Sequence, residues 1–232
     1  MPSVSISLVR PQTERTRPPR ALWVPFELGR PFGPPSDPEF QTRVVLAALR
    51  LLESPNGPVL LEDFPEDDPR EKSDPGWSAP NGSPAARGEL AEVRADRLIT
   101  EIRRLRPQYL QVVEQRSGRT SVGLSGLSVA DAAHYVSEHL RGKPVSSPSP
   151  DISSALALRF AVDDLKAYYT EAASAGTTKP SSRQVGDWFW NRTVAGAAIF
   201  ELRKMNLASE DEKLKLIATM FLVPGARVPP AE

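Results

Sequence analysis

Apolar residues near the start of the chain recur with a period of two. In the stretch 3–9 every second residue is apolar and serines lie between, which predicts a half-buried strand. Apolar runs over 20–26 and 58–64 predict a second and a third strand. Pro25 has no backbone N–H to donate, so it indicates that the second strand ends there or lies at an edge.

A helical period follows the second strand. Asp37 before Pro38 is typical of a helix start, because the aspartate caps the first turn and proline has no N–H to leave unpaired. Apolar residues then recur at helical spacing: Phe40, Val44, Val45, Ala48, Leu49 and Leu52. This helix, predicted over 39–53, lies between two strands, as in an α/β unit with parallel pairing. Three strands make a small, incomplete sheet.

The chain beyond residue 88 is predicted to be mainly helical. A stripe over 90–113 predicts a long helix that Pro107 should kink or divide. Further helices are predicted from Ser128, over 156–172, over 182–207 behind a Ser181–Gln184 capping box, and from Ser209 to Pro224. The stretch 119–127, RTSVGLSGL, predicts a short strand or a turn shaped around a ligand, and its two glycines are equally consistent with close packing.

These patterns divide the chain into four parts. A partial α/β unit over 1–64 is followed by a proline- and glycine-rich loop over 65–88, a helical region over 89–224 and a mobile tail over 225–232. The loop lacks periodicity and is expected to be partly disordered, with Trp77 as its anchor. The predicted fold class is α/β, with a small sheet followed by a mainly α-helical region.

The amino-acid composition limits the classes of partner and the chemistry that can be predicted for this chain. Lys plus Arg and Asp plus Glu both number 29 among 232 residues, so no attraction to a nucleic acid or an anionic membrane is predicted. The residues include no cysteine, which excludes a thiol nucleophile or a thiolate metal site within them. Residues 1–20 have no signal-peptide apolar region and no run is long enough to span a membrane, so a cytoplasmic location is expected. No cofactor is predicted.

Two groups of titratable residues are candidates for chemistry. One is an acidic cluster after the third strand: Glu62, Asp63, Glu66, Asp67 and Asp68. Such carboxylates can bind a metal or act as an acid/base pair, but a solvated strand end and turn is the simpler interpretation. His134 and His139 lie about 140° apart on a helix and cannot share a metal, so ordinary surface or boundary histidines are predicted.

Two further stretches could contact a ligand. The group DWFWNRT over 187–193 could form an aromatic ligand-binding wall, although core or interface packing is the more general use of such residues. Gly29, Arg30 and Gly33 lie in a loop just before a helix N-terminus. The prolines in that loop do not match a phosphate-cradling pattern, and an anion or carboxylate near Arg30 is a hypothesis from the helix dipole alone.

Four stretches carry a family resemblance: SVSISLVRPQTERTRPPRALWVPFELGRPFGPPSDPEFQ, GPVLLEDFPED, GRTSVGLSGLS and DWFWNRTVAG. They resemble the C-terminal half of the selenoprotein B subunit of the glycine, sarcosine, betaine and D-proline reductases, and more closely a bacterial branch of that group. The resemblance implies reductive cleavage of a C–N bond in an amino acid or amine. The family uses a selenocysteine or cysteine together with a partner subunit that forms a pyruvoyl or acyl-accepting component.

The resemblance also implies where a site would lie. The loop FELGRPFGPP should follow the last strands of the α/β domain and border the reaction site, with Gly29, Arg30 and Gly33 as ligand-binding residues. No catalytic residue is identified, because the sequence has no cysteine and shows no selenocysteine.

An incomplete unit is therefore expected: a split subunit, a truncated reading frame or a degenerate descendant. Its partner polypeptide would supply an α/β half that bears the cysteine or selenocysteine. Two functions stay open, a reductase-like subunit and a non-catalytic interaction or scaffold protein that uses the helix over 182–207 as its interface.

Overall fold

Two compact units, over residues 1–72 and 73–232, make up the chain. In this computed structural model the described residues are 2–69, 74–80, 90–178 and 180–228. The first unit contains a small parallel sheet with two helices, and the elements described in the second unit are helical. The α/β class predicted from the sequence, with a mainly helical region after the sheet, is confirmed.

Three short parallel strands form the sheet, in the spatial order β1, β2, β3. Their bounds are β1 Ser5–Ser7, β2 Arg20–Trp23 and β3 Leu60–Asp63, each within its predicted span. The register pairs Ile6 with Leu22 and Leu22 with Glu62, so these side chains share one face of the sheet. Central β2 is therefore the strand that both edge strands depend on.

The two helices of this unit, α1 (Arg10–Thr16) and α2 (Pro38–Arg50), pack on opposite faces of the sheet. Phe40, Val44 and Ala48 of α2 are buried with Leu22. On the other side, the hydroxyl of Thr13 contacts that of Ser7, which belongs to the opposite face. Asp37 caps α2 by accepting a hydrogen bond from the backbone N–H of Phe40 at 3.1 Å, as predicted.

Helix α1 lies between the first two predicted strands, where the sequence pattern predicts no element. The stretch has no apolar period because α1 is held by polar contacts with distant residues. Arg10 Nε donates to Asp63 Oδ1 at 3.1 Å, and Thr13 is buried against Ser7. Short helices of this kind depend on tertiary contacts rather than on helix propensity.

The apolar stripe of α2 also differs from the prediction. Val45 and Leu49 belong to the apolar residues at helical spacing, but 38% and 48% of their surfaces are exposed, whereas Leu51 is buried. The helix is apolar around more than half of its circumference, and the sheet is too narrow to cover all of it. Val45, Leu46 and Leu49, here named the α2 flank, remain exposed.

Six α-helices are described in the second unit: α3 (Ala91–Gln115), α4 (Val129–Leu140), α5 (Ser154–Ala173), α6 (Ser182–Arg192), α7 (Val194–Leu207) and α8 (Glu212–Met220). Helix α5 lies at the centre, and Leu158, Leu165, Tyr168 and Tyr169 are its largest fully buried side chains. None of the helices in the described ranges has an apolar stretch long enough to cross a bilayer.

Two helix boundaries differ from the predictions, and one of the two effects predicted for Pro107, division of the helix, is not observed. Pro107 lies within α3 without dividing it. Because proline has no N–H, the carbonyl of Arg103, one turn earlier, lacks its helical donor. Arg103 and Pro107 are both exposed, so this carbonyl can bind water. Helix α8 is capped by Asp211 rather than Ser209, because Asp211 Oδ1 accepts from the N–H of Lys213 at 2.8 Å. The single helix predicted over 182–207 is broken at Thr193.

The break at Thr193 exists because a buried carboxylate holds the start of α7. Glu101 of α3 is only 2% exposed, and its Oε2 accepts from the N–H groups of Val194 at 2.8 Å and Ala195 at 3.2 Å. Thr193 Oγ1 accepts from the next N–H, that of Gly196, at 3.0 Å. The N–H groups that a helix start leaves without internal partners are thus satisfied inside the core.

Two more buried carboxylates, both on α5, shape the loop over 120–125. Asp164 Oδ1 accepts from the N–H groups of Gly123 and Leu124, both at 2.8 Å. Glu171 accepts from the Thr120 hydroxyl and from the N–H of Ser121, both at 2.7 Å. The stretch 119–127 is therefore a turn rather than a strand, and the groups that it surrounds are two side chains of its own chain.

Part of the proline- and glycine-rich loop is held on the helical unit. The indole Nε1 of Trp77 donates to the carbonyl of Ala173 at 3.1 Å, so Trp77 anchors this segment as predicted. Asp74 exchanges two backbone hydrogen bonds, both 2.9 Å, with the side-chain amide of Gln184. Residues 70–73 and 81–89 of this loop, like 229–232 of the predicted tail, lie outside the described residues. The tail begins with a 3₁₀ turn over Gly225–Arg227.

Replacing Glu101 by glutamine should lower the free energy of unfolding by about 2 kcal/mol, because a buried charged acceptor becomes neutral while several donors stay buried around it. Urea unfolding followed by circular dichroism measures the change. The matched control is Glu114→Gln on the exposed side of the same helix, which should stay within about 0.5 kcal/mol of the parent. An equal effect of the two substitutions would contradict this role of Glu101.

His139 should make stability depend on pH. Burial lowers the pKa of its imidazole from 6.5 to about 4. Between these values the unfolded chain binds a proton that the folded chain does not, so stability should fall as pH drops from about 6.5 to 4, by at most about 3 kcal/mol.

Urea unfolding across that pH range tests the assignment to His139. His139→Phe, which keeps a ring beside Tyr135, should flatten this part of the slope. His134→Gln, at an exposed position of the same helix, should leave the slope intact. A slope that His139→Phe does not change would assign the effect to other groups.

Candidate functional site

The loop over residues 24–37 leaves the carboxyl end of β2 and ends at the start of α2. An aromatic cluster anchors its base: the ring centroids of Phe26, Phe40 and Phe64 lie 5.5 to 6.0 Å apart in tilted or edge-to-face contacts. All three side chains are at least 94% buried, because their exposed fractions are 5%, 3% and 6%. The loop therefore starts from a rigid base.

Two successive turns carry the loop back on itself. The N–H of Arg30 donates to the carbonyl of Glu27, and the N–H of Gly33 donates to the carbonyl of Arg30, both at 3.0 Å. Gly29 and Gly33 have φ angles of +93° and +84°, in the region that favours glycine. A Cβ on Gly33 would lie 2.4 Å from Phe40 Cε1, whereas a Cβ on Gly29 would meet nothing within 4 Å.

The structure separates the three residues predicted to bind a ligand. Gly29 and Arg30 lie at the exposed end of the loop, and Gly33 lies in its buried base. Arg30 Nη1 is 3.5 Å from Glu27 Oε2. Leu28 and Phe32 are 77% and 43% exposed. The surface formed by Leu28, Gly29, Arg30 and Phe32 is here named the loop tip, and it combines apolar contact area with one cation.

The helix N-terminus beside the loop offers little to an anion. Pro38 has no N–H, and the N–H of Phe40 already donates to Asp37. The carboxylates of Asp37 and Glu39 both lie in this first turn, where they would repel a further negative charge. The geometry therefore does not favour an anion bound by the N-terminus of α2 itself, whereas the Arg30 side chain is a separate group at the exposed end of the loop.

A cavity of about 540 Å³ lies between α2 and β3 in the same unit. Leu22, Leu51 and Phe64 form its apolar part, and Arg43 and Glu66 lie at its polar side. The guanidinium of Arg43 donates two hydrogen bonds to Glu66, from Nε at 3.1 Å and from Nη2 at 2.9 Å. These hydrogen bonds lower the pKa of the Glu66 carboxyl below its ordinary value.

The acidic cluster predicted after the third strand does not form a metal site within the described residues. Asp63 pairs with Arg10 and Glu66 pairs with Arg43, while Asp68 is buried. In the described ranges, no group of three or more aspartate, glutamate or histidine side chains is arranged to hold a metal ion. Asp63 and Glu66 are thus held in ionic contacts with arginines of their own unit.

The remaining candidates lie in the helical unit. His134 is exposed and His139 is partly buried against the ring of Tyr135, which are the surface and boundary positions predicted for them. Of the group over 187–193, Trp188 and Phe189 are buried in the core. Trp190 is half-buried beside a groove that contains Phe189.

Sequence reasoning missed two features of the first unit. The cavity between α2 and β3 was not predicted, although an apolar run too wide for one helix face, VVLAALRLL, is a sequence signal for it. The exposed character of Leu28 and Phe32 was missed because apolar residues in a loop give no indication of which way they point.

Comparisons with known proteins found no relative: no family model, no curated protein and no solved structure matches this chain.

Gly33 and Gly29 provide a matched pair of substitutions. Gly29→Ala should cost about 1 kcal/mol of unfolding free energy, because alanine is strained at a positive φ but has free space. Gly33→Ala should cost about 2–4 kcal/mol, because its Cβ also collides with the Phe40 ring. Urea unfolding of both variants checks this difference. Equal costs would contradict the close packing of Gly33 on the aromatic base.

Proposed function

We propose that this chain is a reductase-like subunit, related to selenoprotein B of the glycine and D-proline reductases, whose loop tip borders a site completed by a partner polypeptide. In such an assembly the partner would supply the cysteine or selenocysteine, since these 232 residues contain no cysteine. The reaction would be reductive cleavage of a C–N bond in an amino acid or amine.

One observation carries this proposal: the loop that bears the family-like motif FELGRPFGPP leaves the carboxyl end of the central parallel strand. Binding sites of α/β proteins lie at that edge of the sheet. The aromatic base holds the loop while Leu28 and Phe32 remain exposed. A rigid loop with exposed apolar residues is suited to contact another polypeptide.

Arg30 is the residue of the loop tip that could contact a substrate. Its side chain is 45% exposed and its only described ionic contact, with Glu27, is 3.5 Å long. Such a partly solvated pair is weak and can be exchanged for a substrate carboxylate at little cost. Arg30 would thus orient an amino acid by its carboxylate, while the partner performs the reduction.

A non-catalytic interaction or scaffold protein is the second candidate. The observation that favours it is that two carboxylates beside the sheet are already in ion pairs. Asp63 pairs with Arg10 and Glu66 pairs with Arg43, so these carboxylates are held in structural contacts rather than left for catalysis. Under this alternative, the exposed residues of the loop tip and the α2 flank would serve binding alone.

Co-expression with the product of the gene directly upstream tests both candidates. The reductase proposal expects a stable complex that, with dithiothreitol, consumes at least one of glycine, sarcosine, betaine and D-proline, measured by chromatography. Arg30→Ala should lower turnover at least tenfold without dissociating the complex. Phe32→Ser should weaken the complex at least tenfold, measured by calorimetry.

The control for Phe32→Ser is Leu216→Ser in α8, which removes an even more exposed apolar residue, 58% against 43%, from the helical unit and should leave the complex unchanged. A complex without turnover would overturn the reductase proposal and support the scaffold function. Absence of any complex, with no turnover, would overturn both proposals for this partner.

A further inference from the structure

A groove of about 350 Å³ runs between α5 and α6 in the helical unit. It has the size of a site for a small molecule. Side chains of α5 form one wall and side chains of α6 form the other, with Pro180 and Pro224 also lining it. The proposed function does not involve this groove, although Phe189 and Trp190 belong to the stretch DWFWNRTVAG, which carries part of the family resemblance.

The α5 wall is polar. Lys166, Thr170 and Ser174 are spaced by four residues each and so lie in one line along the helix. The ammonium of Lys166 donates to Asp163 Oδ1 and to the carbonyl of Phe221, both at 3.0 Å. Because an ammonium has three N–H groups, one donor remains for a ligand.

The two hydroxyl groups of this wall act as acceptors. Thr170 Oγ1 donates its proton to the carbonyl of Lys166 at 2.8 Å, and Ser174 Oγ donates to the carbonyl of Thr170 at 2.9 Å. Each hydroxyl oxygen therefore keeps its lone pairs for a donor on a ligand. The polar wall thus combines one positive donor with two neutral acceptors.

The α6 wall is apolar. Val185, Phe189 and Trp190 line the groove, and Gly186 between them has no side chain. The ring of Trp190 makes edge contacts with Phe189 at 4.8 Å and Phe200 at 5.3 Å between centroids. These contacts hold the half-buried indole in place, so little side-chain entropy is lost when a ligand packs on it.

The charges around the groove favour an anion near Lys166. Asp163 contacts the Lys166 ammonium at 3.0 Å and also lies 3.6 Å from Arg159 Nε, so its charge is shared by two cations. Arg227 lies beside Gly186 and is not among the residues that line the groove, and Asp187 pairs with it at 2.6 Å. Among the described residues at the Lys166 end of the groove, the two cations Lys166 and Arg159 therefore share one carboxylate, that of Asp163.

We propose that this groove binds a small amphipathic carboxylic acid. The ligand's carboxylate accepts a hydrogen bond from the remaining N–H of Lys166, and the ligand's apolar part packs against Phe189 and Trp190. A hydroxyl or amine on the ligand donates to Thr170 or Ser174. This inference is independent of the proposed function, because its residues all belong to the other unit.

Three probes on the unaltered chain test the chemistry: hydrocinnamate, which has a ring and a carboxylate, its primary amide, which lacks the charge, and acetate, which lacks the apolar body. Calorimetry and tryptophan fluorescence measure binding. We expect hydrocinnamate to bind, the amide to bind at least tenfold more weakly, and acetate not to bind at millimolar concentration. Equal binding of acid and amide, or no binding of hydrocinnamate, would overturn the proposal.

Variants locate the binding in the groove. Lys166→Met and Trp190→Ala should each weaken hydrocinnamate binding at least tenfold. Lys204→Met, at an exposed lysine of α7 outside the groove, should leave it unchanged. Thermal unfolding verifies that each variant is folded. If Lys166→Met does not fold, the comparison of hydrocinnamate with its amide on the unaltered chain decides whether binding depends on the ligand's charge. Full binding to a folded Trp190→Ala chain would also overturn the proposal.

Discussion

The helical unit depends on a carboxylate that is buried among backbone donors. Glu101 of α3 is 2% exposed and accepts from the phenol of Tyr169 at 2.7 Å as well as from the first N–H groups of α7. Burying a charge costs several kcal/mol unless it is hydrogen-bonded, so α5 and α7 must stay in contact with α3 for the folded state to be stable. In turn, the carboxylate raises the pKa of Tyr169 beyond the effect of burial.

The same solution recurs on α5, where Asp164 and Glu171 accept donors of the loop that links α3 to α4. A loop with several backbone N–H groups facing the core would otherwise leave them without partners. The burial of Glu101, Asp164 and Glu171 therefore has a structural explanation, and burial alone does not identify a catalytic site.

In the first unit, the width of the sheet rather than a buried carboxylate determines which surfaces are exposed. Its sheet is narrow and covers only part of the apolar surface of α2, so the α2 flank stays exposed and a cavity remains beside β3. The loop tip is exposed for a separate reason: its aromatic base and two glycine turns hold Leu28 and Phe32 away from the core. Both surfaces lie in the unit to which the proposed reductase-like function assigns partner binding, and the groove between α5 and α6 provides a separate site for a small ligand.

The sequence by itself determined what depends on neighbouring residues. The alternation in 3–9 and the apolar runs gave the strands, while Asp37 with Pro38 and Ser181 with Gln184 marked helix starts that the structure has. These signals are local, since a cap acts within one turn and a period within a few residues. Neighbouring residues do not determine whether Val45 and Leu49 are exposed or buried, because this depends on the width of the sheet.

Only the tertiary structure decided the remaining features. The end of α6 at Thr193 depends on Glu101, which is 93 positions away from Val194, and α1 is held by Asp63, 53 positions from Arg10. The loop tip and the groove likewise combine residues whose exposure or alignment is set by other elements. No local pattern encodes such pairs, because a carboxylate has the same appearance in the sequence whether it is solvated or buried against a helix start.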